Sequence, residues 1–493
     1  MLIPETIIHP ESNMARYDYN LVAVGAGAAG LVSSYIASAV KARVALIEKN
    51  LMGGDCLNYG CVPSKSLISS AKLVHQLNQH DRFGLKEIQY QVDFPLVMDR
   101  IQEIIEAITP HDSVERYTSL GVECIEGSAK LVSPHELEVN ESLLSTKNIV
   151  IATGASPAIT PIPGLDDSAY STSDSIWKLR ELPKHLLVIG GGPIGCELAQ
   201  AFRRLGSEVT ILTRDPKLLP KEDRDLAELV LKNFESEGIQ MRTEVQVERI
   251  ENKNSEQQVY FRKDDVEQHI KADHILLATG RKPGTSGLGL EEVGVELNPD
   301  GTVKVDPFLR SSIPNIYACG DVAGPFQFTH VASHQAWYAT VNALFSPFKK
   351  FAVDYRVVPW CTFTDPELAR VGLSEEDALA QNIAYEKTTF DLSGLDRAIA
   401  ERNNYGMIKV LTKPGKDQIL GAAICGPHAG DLLSEFVLAM KHGIGLNKIL
   451  GTIHAYPTYA DANKLTAGVW RKNHAPDWVF GLLQRFHRWR RNA

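Results

Sequence analysis

Residues 19–50 are YNLVAVGAGAAGLVSSYIASAVKARVALIEKN, and residues 185–215 are HLLVIGGGPIGCELAQAFRRLGSEVTILTRD. In both stretches an apolar run ends in a glycine-rich turn, a helix-forming segment follows, and a second apolar run completes the pattern. This order predicts two βαβ units, in which each helix begins at its glycine turn and the two strands run parallel. Because the pattern occurs twice, the sequence predicts an α/β chain with two Rossmann-like nucleotide-binding domains.

The first turn has the G-x-G-x-x-G spacing at Gly25, Gly27 and Gly30. The first glycine permits a tight turn, the second lets the backbone approach a pyrophosphate at the helix N-terminus, and the third lets helix and strand pack closely. Glu48 ends the second strand and is placed to accept a hydrogen bond from a ribose hydroxyl. Glycines also serve ordinary turns, but the strand, the helix and the acid together predict a nucleotide site.

The second turn keeps the spacing at Gly190, Gly192 and Gly195, but no acid ends its second strand. Arg214 is found there instead, and an arginine at this position suits a 2′-phosphate. The sequence therefore predicts NADPH in preference to NADH, with a merely solvated strand-end charge as the alternative. Two nearby lysines are expected to add positive charge, Lys217 and Lys221.

Three shorter motifs support this pairing of nucleotide sites. IVIATGASP (149–157) and ILLATGRKP (275–283) are apolar runs that break at Ala-Thr-Gly, and IPNIYACGDVAG (313–324) places Gly320 and Asp321 after another apolar run. Asp321 could accept a hydrogen bond from a polyol such as the ribitol of a flavin, although aspartate also caps helices well. The remaining residues predicted to contact the cofactors are Lys49, Gly54, Asp55, Lys65, Ala152, Thr153, Gly154, Glu197, Gly280 and Arg281.

The stretch GGDCLNYGCVPSKSLISSAK, residues 53–72, contains Cys56 and Cys61 with four residues between them. A helix is expected to begin here with Pro63 at its start, so Cys61 lies near a helix N-terminus. The helix dipole and the nearby Lys65 favour the thiolate of Cys61 over its thiol. A dithiol that closes into a disulfide stores two electrons, and beside a flavin it can receive them from a nicotinamide.

Other interpretations of the cysteines are less favoured. A C-x4-C pair alone is also compatible with two small buried residues. Zinc is a poor alternative, since two ligands are too few and no second cysteine pair or suitably spaced histidine pair follows, so no metal site is predicted. Five further cysteines occur singly and are expected to be structural, namely Cys124, Cys196, Cys319, Cys361 and Cys425.

The motifs GAGAAG, GGDCLNYGCVPSK, ATG, GGGPIGCE, ATGRKP and NIYACGD follow one another in this order. Together they resemble the class I pyridine nucleotide–disulfide oxidoreductases, over about residues 18–470. That family includes dihydrolipoyl dehydrogenase, glutathione reductase and mercuric reductase. The resemblance implies FAD at the first site, NAD(P)H at the second, and a C-terminal α+β domain that forms a homodimer.

The resemblance also implies roles for individual residues. Cys61 would be the charge-transfer thiolate next to the flavin, and Cys56 would be the interchange thiol that meets the substrate. Lys65 and Glu197 would form an ion pair beside the flavin and the nicotinamide. Asp321 would contact the flavin ribitol.

One segment departs from the family pattern. Disulfide-reducing members have His-Pro-Thr-x-x-Glu near the C-terminus, whereas residues 453–464 here are IHAYPTYADANK, with Tyr456 at the histidine position and Asp461 at the glutamate position. Thiol–disulfide exchange needs a group that exchanges protons near pH 7, which histidine does and tyrosine, with a pKa of about 10, does not. His454 would point the same way as Tyr456 in an extended segment, so it stays a candidate base.

The tyrosine favours a thiophilic metal ion as substrate, because binding such an ion to a dithiol itself releases protons. Mercuric reductases also lack that histidine and use tyrosines at the site, and Tyr59 between the two cysteines is a further candidate. Against a complete mercuric reductase, the last cysteine is Cys425, so the C-terminal cysteine pair of that family is missing, as is its N-terminal metal-binding domain.

The predicted function is therefore an FAD-dependent NAD(P)H oxidoreductase that passes electrons through Cys56 and Cys61 to a thiophilic metal ion or a disulfide. Two alternatives stay open. A dihydrolipoyl dehydrogenase would use NAD⁺ and need a working base, and both Arg214 and Tyr456 argue against it. A slow redox-sensing or peripheral-membrane flavoprotein would fit the altered His/Glu pair and the unusual tail.

The predicted division of the chain has four parts. The FAD-binding domain comprises residues 1–160 and 284–350, the NAD(P)-binding domain 161–283, the dimerisation domain 351–472 and a basic tail 473–493. In the tail Val479, Leu482, Leu483 and Phe486 recur at helical spacing, with arginines off that stripe. Such a helix suits weak contact with a membrane surface or docking on the dimer.

The composition excludes several classes of protein. The chain has 493 residues and a formal charge of −9, which offers no basic field for nucleic acid. Seven cysteines are too few for a disulfide scaffold. No signal peptide and no apolar run long enough to span a membrane are seen, so the predicted compartment is the cytoplasm.

Overall fold

The computed structural model describes residues 16–492 except Glu87, Asn254 and Ser255. Residues 1–15, for which the sequence predicts no signal peptide, lie outside the described part. The described chain forms two compact units. The first unit contains residues 16–58, 106–156 and 282–353, and the second contains residues 59–105, 157–281 and 354–492.

The helices of the described residues are named in chain order. They are α1 (Ala28–Ala39), α2 (Gly54–Asn58), α3 (Cys61–Asn78), α4 (Phe94–Ile108), α5 (Val114–Ser119), α6 (Pro193–Leu205), α7 (Arg224–Ser236), α8 (Thr329–Phe345), α9 (Glu375–Ala380), α10 (Asp396–Ala400), α11 (Ala429–Lys441), α12 (Leu446–Gly451), α13 (Asp461–Asn473) and α14 (Asp477–Asn492).

The strands are named in the same way. They are β1 (Leu21–Val24), β2 (Val44–Glu48), β3 (Val122–Glu126), β4 (Lys130–Ser133), β5 (Glu136–Val139), β6 (Ser142–Ser145), β7 (Ile149–Ile151), β8 (Ala155–Pro157), β9 (Tyr170–Thr172), β10 (His185–Ile189), β11 (Glu208–Leu212), β12 (Gln240–Arg242), β13 (Gln246–Lys253), β14 (Glu256–Lys263), β15 (Val266–Ala272), β16 (His274–Leu277), β17 (Arg281–Pro283), β18 (Ile316–Ala318), β19 (Pro359–Thr362), β20 (Glu367–Gly372), β21 (Glu386–Asp391), β22 (Met407–Thr412) and β23 (Ile419–Gly426).

The first unit is built on a parallel sheet with the strand order β18-β7-β1-β2-β3. Along β1, Val22 and Val24 enter one core while Leu21 and Ala23 enter another, because successive side chains of a strand point to opposite faces. The first core is closed by the antiparallel sheet β4-β5-β6, and the second by α1 and α8. The sheet is therefore covered on both faces, as its continuous apolar strands require.

The second unit contains a parallel sheet of the same kind, with the order β12-β11-β10-β16-β9. Leu187 and Ile189 of its central strand pack with Val259 and Phe261 of the antiparallel sheet β13-β14-β15. In both parallel sheets the glycine turn follows the carboxyl end of the central strand. This is the edge at which open α/β sheets bind ligands.

The second unit also contains an antiparallel sheet with the order β19-β20-β23-β22-β21. The helices α11 and α13 pack on it, and they bury Phe436 and Trp470 in a core of their own. This is the α+β layer predicted for the chain beyond residue 351. No helix in the described ranges is long and apolar enough to cross a membrane.

The predicted fold class is confirmed, with two Rossmann-like sheets and an α+β domain after them. The boundaries of the two compact units differ from those of the predicted domains. Residues 59–105 group with the second unit, whereas the sequence-based division places them in the FAD-binding domain.

Candidate functional site

The first glycine turn is closely packed within its own unit. Gly25 has a φ of +101°, and a Cβ there would lie 2.5 Å from the Ala152 carbonyl oxygen. A Cβ on Gly30 would lie 1.7 Å from the Gly25 carbonyl oxygen. Both distances are far below the van der Waals contact distance, so only glycine fits at either position. The turn and close-packing roles expected of these two glycines match this geometry.

Glu48 ends β2 as predicted, and its carboxylate is held by the backbone. One oxygen accepts a hydrogen bond from the Ala26 N–H at 2.6 Å, and the other accepts from the Asn50 N–H at 2.8 Å. Each oxygen keeps a second lone pair, so the carboxylate can still accept from a ribose hydroxyl. The neighbouring Lys49 is exposed.

Gly27 is the N-cap of α1, and the start of α2 packs directly against it. A Cβ on Gly54 would lie 2.6 Å from the Gly27 Cα. The helix begins without a side-chain cap, so its first N–H groups point to where an anion would lie. These features fit the pyrophosphate of a dinucleotide. The short helix that starts at Gly54 also carries Asp55 and the half-buried Cys56.

The turn after β18 carries Asp321, and its anchor was not found from the sequence. Gln335 of α8 is completely buried. Its side-chain oxygen accepts from the Gly320 N–H at 2.6 Å, and its amide donates to the Gly324 carbonyl at 2.8 Å. Gln335 therefore fixes both ends of the turn on which the half-buried Asp321 lies. No local motif marks this glutamine, because its partners are 11 to 15 residues away.

The first Ala-Thr-Gly motif joins β7 to a neighbouring loop of the same unit. The Thr153 hydroxyl donates to the Gly284 carbonyl at 2.7 Å, and the Gly284 N–H donates to the Gly154 carbonyl at 2.9 Å. Ala152 continues β7 and donates to the Val24 carbonyl at 2.8 Å. The motif therefore forms the wall against which Gly25 packs.

The second glycine turn repeats this construction. Gly190 has a φ of +124°, and a Cβ there would lie 2.2 Å from the Ala278 carbonyl oxygen of the second Ala-Thr-Gly motif. A Cβ on Gly195 would lie 2.2 Å from the Gly190 carbonyl oxygen. At Gly192, the N-cap of α6, a Cβ would meet nothing within 4 Å. The open space before this uncapped helix fits a dinucleotide.

Arg214 lies just beyond β11, where an acid would accept from the ribose of NADH. It is exposed, and it has no ion pair with any residue in the described ranges. Lys217 differs from the expectation, because its ammonium donates to the Glu222 carbonyl and pairs with Glu376. Its charge is thus neutralised, while Lys221 is exposed. Arg214 is the better placed cation for a 2′-phosphate.

The end of β16 and the loop that follows it contain Gly280 and Arg281. The Gly280 carbonyl accepts from the Ala158 N–H at 2.9 Å, and the Thr279 hydroxyl donates to the Ala158 carbonyl at 3.0 Å. Arg281 is half-buried at the start of β17. Both predicted residues therefore lie near the carboxyl edge of the second parallel sheet.

The predicted ion pair forms within the second unit. The Lys65 ammonium of α3 lies 2.7 Å from a Glu197 carboxylate oxygen of α6. The other Glu197 oxygen accepts from the Phe363 N–H at 2.9 Å, and the Lys65 ammonium lies 4.4 Å from the centre of the Phe363 ring. Glu197 is 6% exposed, so the carboxylate of this ion pair is almost completely shielded from solvent.

Cys61 is the first residue of α3 and is exposed, so it lies at the positive end of the helix dipole. Tyr59, between the two cysteines in the sequence, is anchored by Trp177. The indole N–H of Trp177 lies 2.7 Å from both the Tyr59 and the Ser173 carbonyl oxygens. No local sequence pattern marks this tryptophan, which holds the backbone just before α3.

The five remaining cysteines have the protonated thiols expected of structural residues. Burial raises the pKa of the Cys319 thiol to about 12. The pKa values of the other four are raised by the same desolvation, in Cys124, Cys196, Cys361 and Cys425. None of these five thiols is poised to react as a thiolate near neutral pH.

A cluster of carboxylates also occurs in the second unit, on Asp223, Asp225 and Glu375. The completely buried Lys409 ammonium lies 2.5 to 3.1 Å from an oxygen of each. Burial lowers the pKa of Lys409, but the hydrogen bonds to Asp225 and Glu375 outweigh it and raise the pKa. The Lys409 ammonium is therefore the cation that binds these three carboxylates.

In the C-terminal segment Tyr456 is 71% exposed, and its hydroxyl donates to an Asp396 carboxylate oxygen at 2.8 Å. This hydrogen bond raises the pKa of Tyr456 above its ordinary value. A phenol held in its protonated form cannot serve as a base near pH 7. Asp461 begins α13, where a carboxylate favours the helix N-terminus.

His454 has different surroundings from Tyr456, so the expectation that the two rings point the same way is wrong. The His454 side chain is 7% exposed. One ring nitrogen lies 3.0 Å from the Thr452 carbonyl, and the other lies 3.0 Å from a Glu435 oxygen that is part of α11. Both nitrogens are thereby occupied within the domain.

Comparison with known proteins fits this construction. The sequence pattern of the pyridine nucleotide-disulphide oxidoreductases matches residues 19–336, and that of their dimerisation domain matches residues 358–467. The chain belongs to this family. Such enzymes use a bound flavin together with a pyridine nucleotide, and the matched dimerisation domain supports a homodimer. The oxidoreductase class predicted from the sequence is thereby confirmed.

Individual members of the family point to more than one substrate. A mercuric reductase from Bacillus cereus is 34% identical over 91% of this chain and 71% of its own length. A dihydrolipoyl dehydrogenase from Chlamydia pneumoniae is also 34% identical, over 90% of this chain and 95% of its own length. Sequence identity therefore does not separate a metal from a disulfide as substrate.

Solved structures are similar along nearly the whole chain. The HOCl-induced flavoprotein disulfide reductase RclA from Escherichia coli is 29% identical, with a TM-score of 0.81 over 92% of this chain and 100% of that chain. A Cu(II) complex of RclA has also been solved. LpdA from Mycobacterium tuberculosis has a TM-score of 0.84 at 26% identity, over 92% of this chain and 100% of that chain.

Proposed function

We propose that this oxidoreductase passes electrons from NADPH through FAD and the Cys56–Cys61 pair to a thiophilic metal ion. The observation that carries the proposal is the environment of Tyr456 in the C-terminal segment. By the resemblance Tyr456 stands at the position of the histidine base, and its hydrogen bond to Asp396 raises the pKa of this phenol further above its ordinary value. An acceptor that needs no returning acid suits such a site better than a disulfide does.

The chemistry of metal binding supports this choice. A thiophilic ion such as Hg²⁺ or Cu²⁺ binds to thiols and releases their protons without a base. Hydride from NADPH and one proton from solvent convert the Cys56–Cys61 disulfide into two thiols. When one Hg²⁺ takes two electrons from this pair, or two Cu²⁺ take one each, the disulfide forms again, two protons are released and the metal leaves in a lower oxidation state. Bound FAD supplies the two-electron relay between the nicotinamide and the cysteines. The similarity to mercuric reductases and to a protein solved with Cu(II) agrees with this acceptor.

The residues of the chain would each have a defined part. Cys56 would meet the substrate and Cys61 would face the flavin, while the charge of Lys65 is held in place by Glu197. The turn at Asp321 would bind the ribitol, and the carboxylate of Glu48 would accept from the adenosine ribose. None of these roles requires a proton donor from the C-terminal segment.

The preference for NADPH rests on Arg214. This exposed guanidinium follows β11, where it would pair with a 2′-phosphate that NADH lacks. The proposed enzyme works as a homodimer in the cytoplasm, where a reducing environment keeps buried cysteines such as Cys196 and Cys425 as thiols.

Anaerobic NADPH oxidation by the purified holoenzyme tests the proposal. The acceptors are Hg(II) in excess thiol, Cu(II), lipoamide and glutathione disulfide, each compared with a reaction lacking acceptor. Turnover with a metal ion and background rates with both disulfides are expected. Turnover with a disulfide alone would contradict the proposal.

Substitution of one cysteine identifies the path of the electrons. Cys56→Ser is expected to abolish metal reduction while leaving the bleaching of the flavin by NADPH intact. Cys124→Ser removes a half-buried thiol of the first unit and serves as the control, with metal reduction unchanged. If Cys56→Ser also prevents flavin bleaching, the proposed order of electron flow is wrong.

A disulfide reductase is the second candidate, because His454 and Glu435 form a histidine–carboxylate pair of the kind used in acid–base catalysis. As a base, His454 would have to free the ring nitrogen that now lies 3.0 Å from the Thr452 carbonyl. In that case His454→Gln would lower turnover with lipoamide or glutathione disulfide at least tenfold at pH 7. The same variant would leave metal reduction unchanged. Equal turnover of the His454→Gln variant and the original enzyme with a disulfide would eliminate this candidate.

A further inference from the structure

The helix α14 has no part in the proposed electron transfer. None of its 16 residues is buried, and it lies beyond the dimerisation-domain match, which ends at residue 467. Single exposed apolar side chains are ordinary, but a set of them on one helix marks an interaction surface. The large apolar side chains of α14 are 44% to 68% exposed, in Trp478, Phe480, Leu482, Leu483, Phe486 and Trp489.

The spacing of these residues gives the helix one apolar face. Trp478, Leu482, Phe486 and Trp489 follow one another at intervals of four, four and three residues, which places them along one side at about 3.6 residues per turn. Leu483 lies just beyond this side. The four residues Trp478, Leu482, Phe486 and Trp489 are called the apolar face of α14 below, and two of them are tryptophans.

The charges of α14 are almost all positive. Arg485 and Arg490 border the apolar face on its two sides, and the opposite side carries Arg488 and Arg491. Asp477, the first residue of the helix, is its one acid. With four arginines and one aspartate the helix has a formal charge of +3, whereas the whole chain has −9, so the rest of the chain has −12.

We propose that α14 binds the surface of a membrane that contains anionic lipids, lying in the plane of the interface. Its apolar face would enter the outer acyl region, and the indole rings would lie at the level of the headgroups. The long side chains of Arg485 and Arg490 would reach lipid phosphates from the border of the apolar face. A cation on each side of an apolar stripe is the arrangement that a layer of phosphates above a hydrocarbon region complements.

A second copy of this chain is the competing occupant, because the domain before α14 forms the dimer in this family. The helix lies outside the matched domain, and none of its arginines pairs with a carboxylate in the described ranges. Docking within a dimer would bury the apolar face against protein and leave nothing for a lipid surface to bind. The two occupants therefore give opposite results with vesicles.

Vesicle sedimentation of the full-length holoenzyme tests the proposal. The probes are vesicles of phosphatidylglycerol with phosphatidylcholine, and vesicles of phosphatidylcholine alone. Because each basic residue near an anionic surface adds to the attraction, binding to the mixed vesicles is expected to be at least about tenfold tighter. Raising the salt concentration should weaken this binding.

A matched pair of variants separates the apolar face from simple charge attraction. Phe486→Glu and Gln484→Glu each add one negative charge, but residue 486 lies on the apolar face and residue 484 on the opposite side. Phe486→Glu is expected to weaken vesicle binding at least about tenfold and Gln484→Glu less than about threefold. NADPH oxidation with the acceptor identified above should be the same in both variants and reports that they are folded.

Three results would overturn the proposal. Equal weakening by Phe486→Glu and Gln484→Glu would mean that charge alone holds the protein to the vesicles. Equal binding by a chain that ends after Lys472 would place the contact outside α14. Absence of binding to the mixed vesicles would by itself exclude a membrane-binding role, and a lower melting temperature of Phe486→Glu in vesicle-free buffer would then assign the apolar face to a second copy of the chain.

Discussion

The two glycine turns share one backbone design. In each, the first glycine has a left-handed φ and donates to the second strand at 2.8 Å, from Gly25 to Ile47 and from Gly190 to Leu212. In each, that glycine packs on the alanine carbonyl of an Ala-Thr-Gly motif. The helix that follows begins without a side-chain cap in both cases. The common geometry is what two pyrophosphates require of two separate turns.

The surroundings of the two turns differ. Gly27 is covered by Gly54, whereas the corresponding Gly192 faces open space. The second strand ends in Glu48 in the first unit, while Arg214 follows it in the second. An enclosed turn suits a cofactor that stays bound, and an open turn suits one that enters and leaves in each cycle. This difference agrees with a resident flavin and an exchangeable pyridine nucleotide.

The strongest test of this comparison places a methyl group in each turn. Gly30→Ala brings a Cβ to 1.7 Å from a carbonyl oxygen, and Gly195→Ala brings one to 2.2 Å. Each should destabilise its own unit by about 2 kcal/mol or more, because backbone cannot give way easily. Gly30→Ala should yield protein without flavin, measured by absorbance near the visible flavin band, and Gly195→Ala should keep its flavin but lose its reduction by NADPH. Full flavin content in Gly30→Ala would show that the first turn is not the FAD site.

Arg214 offers the next largest effect. Arg214→Leu removes the cation proposed to pair with the 2′-phosphate, so KM for NADPH should rise about thirtyfold, in line with the loss of a charge-assisted contact of about 2 kcal/mol. The kcat value and the KM for NADH should not change. Lys221→Leu removes another exposed cation of the same segment and is the control. A parallel rise in both KM values would assign Arg214 to general binding.

Gln335 tests whether the proposed FAD site also depends on the anchored turn after β18, which belongs to the same unit as the first glycine turn. Gln335→Leu leaves the Gly320 N–H and the Gly324 carbonyl without their buried partner, so Asp321 should lose its fixed position. The Kd for FAD, measured by reconstitution of the apoprotein, is expected to rise about tenfold. Asn342→Leu is the matched control, since it removes another buried amide of α8 that binds only backbone at Phe308 and Phe351. Similar Kd values in the two variants would reduce Gln335 to a general packing residue.

The smallest effect is expected at the second glycine of each turn, where the two turns differ in the protein atoms that pack against them. Gly192→Ala adds a methyl group that meets no protein atom within 4 Å, so stability in urea should be unchanged and the KM for NADPH should rise a few-fold as the methyl meets the pyrophosphate. Gly27→Ala brings its Cβ to 3.9 Å from the Gly54 Cα, an ordinary contact. It should also fold, with weaker FAD binding. Lower stability of Gly192→Ala in the absence of nucleotide would mean that protein atoms pack against Gly192 and that the second turn is not open.

The sequence predicted those parts of the site that depend on local spacing. The glycine turns and the start of α3 near Cys61 follow from motifs in which turn, strand and helix are a few residues apart. The Lys65–Glu197 pair joins residues 132 positions apart, and it was expected only from the resemblance to the family. The two strands that carry the Ala-Thr-Gly motifs were also found. They lie next to the glycine turns because neighbouring parallel strands end at one edge of a sheet.

The missed features depend on partners far away in the sequence. Lys217 pairs with Glu376, which is 159 residues further on, and so its charge is not available as expected. Gln335 has no pattern around it that distinguishes it from a helix surface residue. His454 turns to Glu435 and Tyr456 turns to Asp396 because the segment between them is not an extended strand. Only the tertiary contacts decide such side-chain directions.

The anchor at Tyr59 has a consequence for spectroscopy. The indole of Trp177 donates to the carbonyl of Tyr59, which lies in the sequence between the two cysteines proposed to be redox-active, so movement of that backbone is expected to change its fluorescence. Under the proposed function this tryptophan would be an optical reporter of the oxidation state of the cysteine pair. The reporter signal is the part of the emission that disappears in Trp177→Phe, and its change on adding NADPH would follow the opening of the disulfide in real time.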